Sequence, residues 1–91
     1  MISHITERFR KALAELPADA QKQARQAYRL FIENPHHPSL RFKSIHPTRP
    51  IYSIRVGLNY RAIGIREDDD IIWYWVGSHA EYNKLIKQFK K

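Results

Sequence analysis

The chain has 91 residues, with 16 Lys and Arg against 9 acidic residues and a formal net charge of +7 at pH 7. It has no cysteine, which excludes disulfide bridges and thiolate metal sites, and its hydrophobic fraction of 43% excludes a disordered chain. No apolar run approaches the roughly 18 residues that a membrane span needs. We therefore expect one cytoplasmic domain over residues 1–91, away from membranes, whose charge favours a nucleic acid, a ribosomal target or an acidic protein partner.

The first third of the chain has the apolar periodicity of two amphipathic helices. Ser3 is a suitable N-cap for the first helix, and Pro17 ends that helix and opens the second. The two apolar stripes comprise Ile2, Ile5, Phe9, Ala12, Leu13 and Leu16 in the first helix, and Ala20, Ala24, Ala27, Tyr28 and Phe31 in the second. We predict a helical hairpin over residues 3–34 with apolar faces that a sheet would cover.

The middle of the chain predicts four strands joined by short turns. They cover residues 40–46, 51–56, 60–67 and 71–76. Successive side chains of a strand point to opposite faces, so we assign Tyr52, Ile54 and Val56 to the face that the helices cover. Ser53 and Arg55 then face the other way. Short connections make the sheet mostly antiparallel, because parallel pairing needs long crossovers.

The last predicted strand leads into a helix with a clear start signal. Ser78 and Glu81 have the spacing of a capping box, in which each side chain accepts a hydrogen bond from a free backbone N–H of the other. The order of elements predicts an α+β fold. In it, two N-terminal helices pack on a four-stranded, mostly antiparallel sheet that is followed by a C-terminal helix. Basic side chains would converge on the second, partly open face of the sheet.

The polar residues suit phosphate chemistry better than other reactions. The three glycines form no phosphate-binding loop, and His36-His37 lacks the spacing of a metal site, so we expect no metal and no cofactor. Arginine can bind two phosphate oxygens at once, and the 2′-hydroxyl of RNA can attack its own 3′ phosphate. His79 lies at a helix start, where the helix dipole disfavours an imidazolium, so its ring could act as a base.

Each of these residues also has a purely structural interpretation. His79 could be a surface residue beside a helix cap, and Tyr82 could be part of the core. Arg55 and Arg61 lie inside strands, where a charge needs an acidic partner or an open, wet surface. Ile63 and Ile65 share the side of Arg61, so the sequence leaves open which face Arg61 reaches.

Several motifs resemble the RelE/ParE superfamily of small bacterial toxins. They are Tyr52-Ser53-Ile54-Arg55-Val56-Gly57 with Tyr60-Arg61, the preceding Leu40-Arg41-Phe42-Lys43, and Gly77-Ser78-His79, which is similar to the histidine motif of the YafQ-like branch. The resemblance implies a RelE-like fold and the toxin half of a type II toxin–antitoxin pair. It further implies an endoribonuclease that cuts mRNA in the ribosomal A site without metal, and a cognate antitoxin that neutralises it.

The resemblance also implies roles for individual residues. Arg61 would contact the scissile phosphate, His79 would serve in proton transfer or charge stabilisation, and Tyr82 would be an aromatic used on the RNA. Lys43 and Arg55 match basic positions on the open face. The remaining RNA-binding candidates are Arg41, Arg49 and His46. ParE-like members of the same superfamily inhibit DNA gyrase, so a gyrase inhibitor is an alternative, and a non-catalytic nucleic-acid-binding module is another.

Overall fold

The computed structural model describes residues 1–89 as three α-helices and a five-stranded sheet. In chain order the elements are β1 Ile2–Ile5, α1 Glu7–Ala14, α2 Ala18–Glu33, a short 3-10 helix Pro38–Leu40, β2 Lys43–Ser44, β3 Ile51–Val56, β4 Tyr60–Glu67, β5 Asp70–Ser78 and α3 His79–Gln88. The strand order is β1-β5-β4-β3-β2, antiparallel throughout except for the parallel pair β1 and β5. The predicted α+β class is confirmed, but the sheet has a fifth strand and is mixed.

The prediction that the first helix begins after Ser3 is wrong. Residues Ile2–Ile5 form a parallel edge strand instead, with Ser3 opposite Ile71 of β5. The N-cap of α1 is Thr6, whose Oγ1 accepts a hydrogen bond from the N–H of Phe9 at 3.1 Å and donates one to the carbonyl of Trp73 at 2.9 Å. The backbone groups along the edge of β5 need partners, and this non-local demand outweighs the helical spacing of the apolar residues.

The predicted strand over residues 40–46 is also largely wrong. Leu40 ends the 3-10 helix and is buried, and the strand that pairs with β3 is confined to Lys43–Ser44. Arg41 separates the two elements because its backbone is left-handed, with φ at 47°. A left-handed residue cannot continue a strand, so the alternating pattern of this segment did not produce a long one.

The first core lies between helices α1 and α2 and one face of the sheet. Phe31 is fully buried there, and its ring meets the ring of Trp73 edge to face at 5.2 Å. Tyr52, Ile54 and Val56 of β3 belong to the same core, as their alternation predicted. At the end of β3 the chain turns at Gly57, whose φ of 63° favours glycine. A β-carbon there would also overlap the side chain of Gln23.

The second core lies on the opposite face of the sheet, beneath α3. Tyr82 is buried against Ile51 and Ile63, and the predicted stripe of Leu85, Ile86 and Phe89 packs around them. A register shift at Ile63/Gly64 places Trp73 in the first core and Trp75 beside the second, although they are two residues apart. Both faces of β4 and β5 are apolar because a core packs on each face of the sheet. Helix α3 covers part of the second face and leaves a cleft beside it.

The structure confirms the capping box at the start of α3. Ser78 Oγ accepts a hydrogen bond from the Glu81 N–H at 3.1 Å, and Glu81 Oε1 accepts one from the Ser78 N–H at 3.3 Å. The cap fixes the direction in which α3 leaves β5. Its first residue, His79, is therefore held at the edge of the cleft.

Candidate functional site

A cleft of about 280 Å³ opens on the second face of the sheet, beside the N-terminal half of α3. We call it the basic cleft. It is lined by Arg41, Lys43, Ser53, Arg55, Arg61, His79, Tyr82, Asn83 and Ile86. A larger groove of about 410 Å³ lies between α2 and the turn after β3, and Arg55 lines both. The basic cleft is the candidate functional site, because six of the eight predicted site residues meet there.

The strand register brings the basic residues onto one face. Lys43 lies opposite Ser53, Arg55 lies opposite Arg61, and Arg61 lies opposite Gly77. Residues directly opposite each other in antiparallel strands project from the same side of the sheet. Arg61 therefore does reach the open face, which the sequence alone left undecided.

The cations of the basic cleft have no acidic partner in the described part of the chain. The ion pairs within residues 1–89 involve Asp69 and Asp70 at the start of β5, and the residues that line the cleft include no acid. Arg55 Nε donates a hydrogen bond to the carbonyl of Gly57 at 3.2 Å, and Arg61 Nη1 donates one to that of Tyr60 at 2.7 Å. These contacts orient the guanidinium groups but do not neutralise them.

The pKa of Arg61 is lowered from its ordinary value, first because the side chain is partly buried and then because the charge of Arg55 lies opposite it. Arg41 adds to this effect, and Tyr82 acts in the opposite direction. An anion in the basic cleft would relieve the repulsion between these cations. The electrostatics of the site therefore favour a phosphate or a carboxylate group as its ligand.

His79 is the first residue of α3, and its side chain is exposed at the mouth of the basic cleft. Its backbone N–H donates a hydrogen bond to the carbonyl of Asn59 at 2.8 Å, which ties the start of α3 to the turn before β4. Its ring forms no hydrogen bond with another residue among residues 1–89 and lies 6.1 Å from the ring of Tyr82. The imidazole is therefore available to a bound ligand.

Tyr82 lies at the floor of the basic cleft. It is only 5% exposed, and its hydroxyl forms a 3.1 Å hydrogen bond with Ser53 Oγ. The ring packs in the second core, so it offers no free face on which a base could stack. Its catalytic role stays a prediction, and the contacts that the structure shows for it are the packing of its ring and the hydrogen bond to Ser53.

Arg49 and His46 do not line the basic cleft. They lie in the turn between β2 and β3, where His46 Nδ1 accepts hydrogen bonds from the backbone N–H groups of Thr48 at 3.1 Å and Arg49 at 2.9 Å. The His46 ring also lies 5.2 Å from the ring of Phe89, at the end of α3. His46 thus shapes this turn, while contact of either residue with RNA stays a prediction.

Two polar residues of the basic cleft were not among the predicted site residues. The sequence did mark Ser53, because it is a small polar residue within an otherwise apolar part of β3. In the structure its side chain is buried, at 2% exposure. Asn83 had a weaker one, because it follows His79 by four residues and so shares its side of the helix.

Two negative findings apply to the residues that the structure describes. No helix within residues 1–89 combines the length and the apolar character needed to cross a membrane. In the same residues, no three His, Cys, Asp or Glu side chains come together in a way that could hold a metal ion.

Residues 18–84 match the family model of the ParE-like toxin domain. Since the match spans well over half of the chain, the protein belongs to this family of toxin domains. The resemblance to the RelE/ParE superfamily that the sequence motifs indicated is confirmed. No curated protein matches the chain.

Solved structures of toxins share the fold. RelE in the RelB–RelE antitoxin–toxin complex of Methanococcus jannaschii superposes with a TM-score of 0.67 and 24% identity, over 90% of this chain and 96% of that one. YafQ of Escherichia coli superposes with a TM-score of 0.65 and 16% identity, over 88% of this chain and 94% of that one. A RelE–RelB complex of Pyrococcus horikoshii matches with a TM-score of 0.64 and 20% identity, over 85% of this chain and 92% of that one. The chain therefore has the fold of the RelE and YafQ toxins along nearly its whole length.

Proposed function

We propose that this chain is the toxin of a toxin–antitoxin pair and that it cleaves mRNA in the ribosomal A site. The observation that carries the proposal is the set of cations without acidic partners in the basic cleft, next to the exposed imidazole of His79. A cleft of this kind binds a phosphodiester and places a proton-transfer group beside it.

The proposed reaction uses the RNA itself as the nucleophile. The scissile phosphate lies on Arg61 and Arg55, which hold its charge as it builds up during the attack. His79 takes the proton of the 2′-hydroxyl, whose oxygen forms a bond to phosphorus while the bond to the 5′ oxygen breaks. Solvent protonates the departing 5′ oxygen, and the products are a 2′,3′-cyclic phosphate and a 5′-hydroxyl. Lys43 and Arg41 at the rim hold the neighbouring backbone.

A cognate antitoxin is the second proposed partner. The RelE structures of M. jannaschii and P. horikoshii are complexes with RelB, and the same pairing is proposed here by analogy. An acidic antitoxin segment would neutralise the cations of the basic cleft. The adjoining groove shares Arg55 and carries Leu58 at 72% exposure, so it could take the apolar side chains of the same segment.

The test is a cell-free bacterial translation reaction in which the 5′ ends of the mRNA are mapped by primer extension. Added toxin should produce new ends at codon spacing, and only while ribosomes translate the message. Arg61→Gln should lower the yield of new ends, whereas Arg25→Gln should leave it unchanged, because Arg25 has the same charge but lies on α2 outside the basic cleft.

The family description leads to one competing function. The matched model is named for ParE-like toxins, and a ParE-like chain would inhibit DNA gyrase instead of cutting RNA. Intact mRNA together with blocked DNA supercoiling would support that function. Intact mRNA with unaffected supercoiling would leave only a non-catalytic nucleic-acid-binding module.

A further inference from the structure

One short turn holds both guanidinium groups at the centre of the basic cleft. It joins β3 to β4 and comprises residues 57–60, which we call the carbonyl turn. The carbonyl of Gly57 accepts the hydrogen bond from Arg55 Nε at 3.2 Å, and the carbonyl of Tyr60 accepts the one from Arg61 Nη1 at 2.7 Å. The two arginines lie directly opposite each other, so the same piece of backbone sets the position of both.

The carbonyl turn also holds the start of α3. Between the two arginine contacts, the carbonyl of Asn59 accepts a hydrogen bond from the backbone N–H of His79 at 2.8 Å. The N–H of the first residue of a helix has no partner within the helix, so this contact fixes the point from which the imidazole projects. Three carbonyls of one turn thus position all three groups that the proposed reaction uses.

Carbonyl oxygens suit this task because they carry partial negative charge but no full charge. They hold Arg55 and Arg61 in place although the like charges of these residues repel each other. A carboxylate in the same place would also orient the guanidinium groups, but it would neutralise them and compete with a phosphate. The carbonyl turn therefore orients the cations and leaves their charge to the ligand.

Two features fix the conformation of the carbonyl turn. Gly57 has a φ of 63°, in the left-handed region that side chains disfavour. The side chain of Gln23 on α2 lies against Gly57, where a β-carbon would overlap its amide group. Gln23 lines the groove beside α2 and not the basic cleft. Packing against α2 thus helps to set the turn that orients side chains in the cleft.

We propose that Gly57 is a positioning residue of the basic cleft and acts through the carbonyl turn. Its own side of the contact is backbone, and it keeps Arg55, Arg61 and His79 in one mutual arrangement. A displacement of the turn misplaces all three groups together while the charge of the cleft stays the same. This inference rests on the phosphate binding and the RNA cleavage proposed above.

The experiment strains the carbonyl turn and leaves every charge in place. Gly57→Ala adds a β-carbon that both the left-handed backbone and Gln23 disfavour. At a temperature where circular dichroism shows the variant folded, single-turnover cleavage on stalled ribosomes should fall by about 10- to 100-fold, because a misplacement of about 1 Å can cause such a loss. Uncleavable 2′-fluoro RNA should bind a few-fold more weakly. The NMR signal of the Arg55 Nε–H group should move toward that of a free guanidinium, because its acceptor is displaced.

Asp68→Glu is the matched control for backbone strain. Asp68 has a φ of 54° in the turn between β4 and β5, and aspartate tolerates the left-handed region better than glutamate does. The variant keeps the net charge and strains a turn that does not line the basic cleft. It should lose stability, while cleavage, RNA binding and the Arg55 signal stay as in the wild type.

Two results would overturn the inference: a Gly57→Ala variant that cuts and binds RNA like the wild type, or an equal loss in Asp68→Glu, which would trace the loss to stability alone. The two RNA measurements also separate this inference from the proposed function. If the wild type cuts and Gly57→Ala cuts equally fast, only the inference about the turn fails. If the wild type cuts no mRNA, but Gly57→Ala weakens RNA binding and shifts the Arg55 signal, the nuclease function fails and the positioning by Gly57 stands.

Discussion

The arrangement of like charges in the basic cleft lowers the stability of the free protein. Arg55 and Arg61 are directly opposite each other on neighbouring strands, and like charges in that relation destabilise a sheet. Neither has an acidic partner among the described residues. A chain selected for stability alone would place a carboxylate here, so the arrangement indicates that a ligand supplies the negative charge.

Removing the charge of Arg61 should therefore stabilise the free protein while it weakens anion binding. We expect Arg61→Gln to raise the free energy of unfolding by about 0.5 kcal/mol, because the repulsion with Arg55 is lost. Added sulfate should raise the Tm of the wild type more than that of the variant. Arg66→Gln is the control, since Arg66 lies over the ring of Tyr52 at 5.5 Å and should lose stability instead. A lower Tm for Arg61→Gln would contradict the prediction.

The proposed proton transfer by His79 can be tested separately from phosphate binding. We expect His79→Ala to lower the cleavage rate by about 10²- to 10⁴-fold and to leave RNA affinity nearly unchanged, because the cations still hold the phosphate. The measurement is single-turnover cleavage on stalled ribosomes. His4→Ala, at an exposed histidine of β1, should cut at the wild-type rate. A His79→Ala variant that cuts as fast as the wild type would remove His79 from the mechanism.

The role of Tyr82 can be settled by removing one oxygen atom. In Tyr82→Phe the buried hydroxyl of Ser53 loses its hydrogen-bond partner, so the free energy of unfolding should fall by about 1 kcal/mol. Cleavage at saturating RNA should stay within about three-fold of the wild type, because the ring still packs in the second core. A rate loss near 10²-fold would instead indicate a direct catalytic role for the hydroxyl.

At the level of elements, the cap of α3 serves both stability and the site. Ser78 caps the helix whose first residue is His79, and Thr6 caps α1 on the opposite side of the sheet. Ser78→Ala and Thr6→Ala should each cost about 1 kcal/mol, or a fall in Tm of about 4–8 °C. Cleavage below the Tm should fall only in Ser78→Ala, because only that change frees His79 to move. Equal activities in the two variants would show that the cap does not position the site.

The sequence predicted those elements whose structure is determined by neighbouring residues, and it missed those that depend on distant contacts. β3, β4, β5 and the capping box were correctly placed, because alternation and capping are set by neighbouring residues. β1 was missed because its partner lies about 70 residues away in the sequence, and its own pattern fits a helix equally well. The predicted strand over residues 40–46 was interrupted by the left-handed backbone of Arg41, which no local pattern announced.

The site was predictable to a similar extent. The motifs brought out the arginines and His79, but the orientation of Arg61 required the register between β3 and β4. Ile63 is on the same side of β4 as Arg61 and belongs to the second core, which α3 covers, so the apolar pattern did not show which side of the strand is open. Tyr82 was ambiguous because one residue can belong to the core and line the cleft at the same time.

At the level of the whole molecule, the net charge of +7 predicts that the proposed binding to RNA depends on salt. If Arg41, Lys43, Arg55 and Arg61 each contact one phosphate, log K against log[salt] should have a slope of about −3, at about −0.7 for each contact with a single strand. The slope can be measured by fluorescence anisotropy at salt concentrations from about 50 to about 300 mM. Replacing any one of these four residues by Gln should make the slope shallower by about 0.7. Arg25→Gln should leave the slope unchanged. A slope near zero would exclude the basic cleft as the RNA-binding surface.

The parallel pair of β1 and β5 also sets the earliest point at which the sheet can form during synthesis. Ser3 pairs opposite Ile71 and Ile5 opposite Trp73, so β1 has no partner until β5 has been made, roughly 4 to 14 s after synthesis starts. His79 follows β5 directly in the chain, so the basic cleft is complete only after every strand of the sheet has been made.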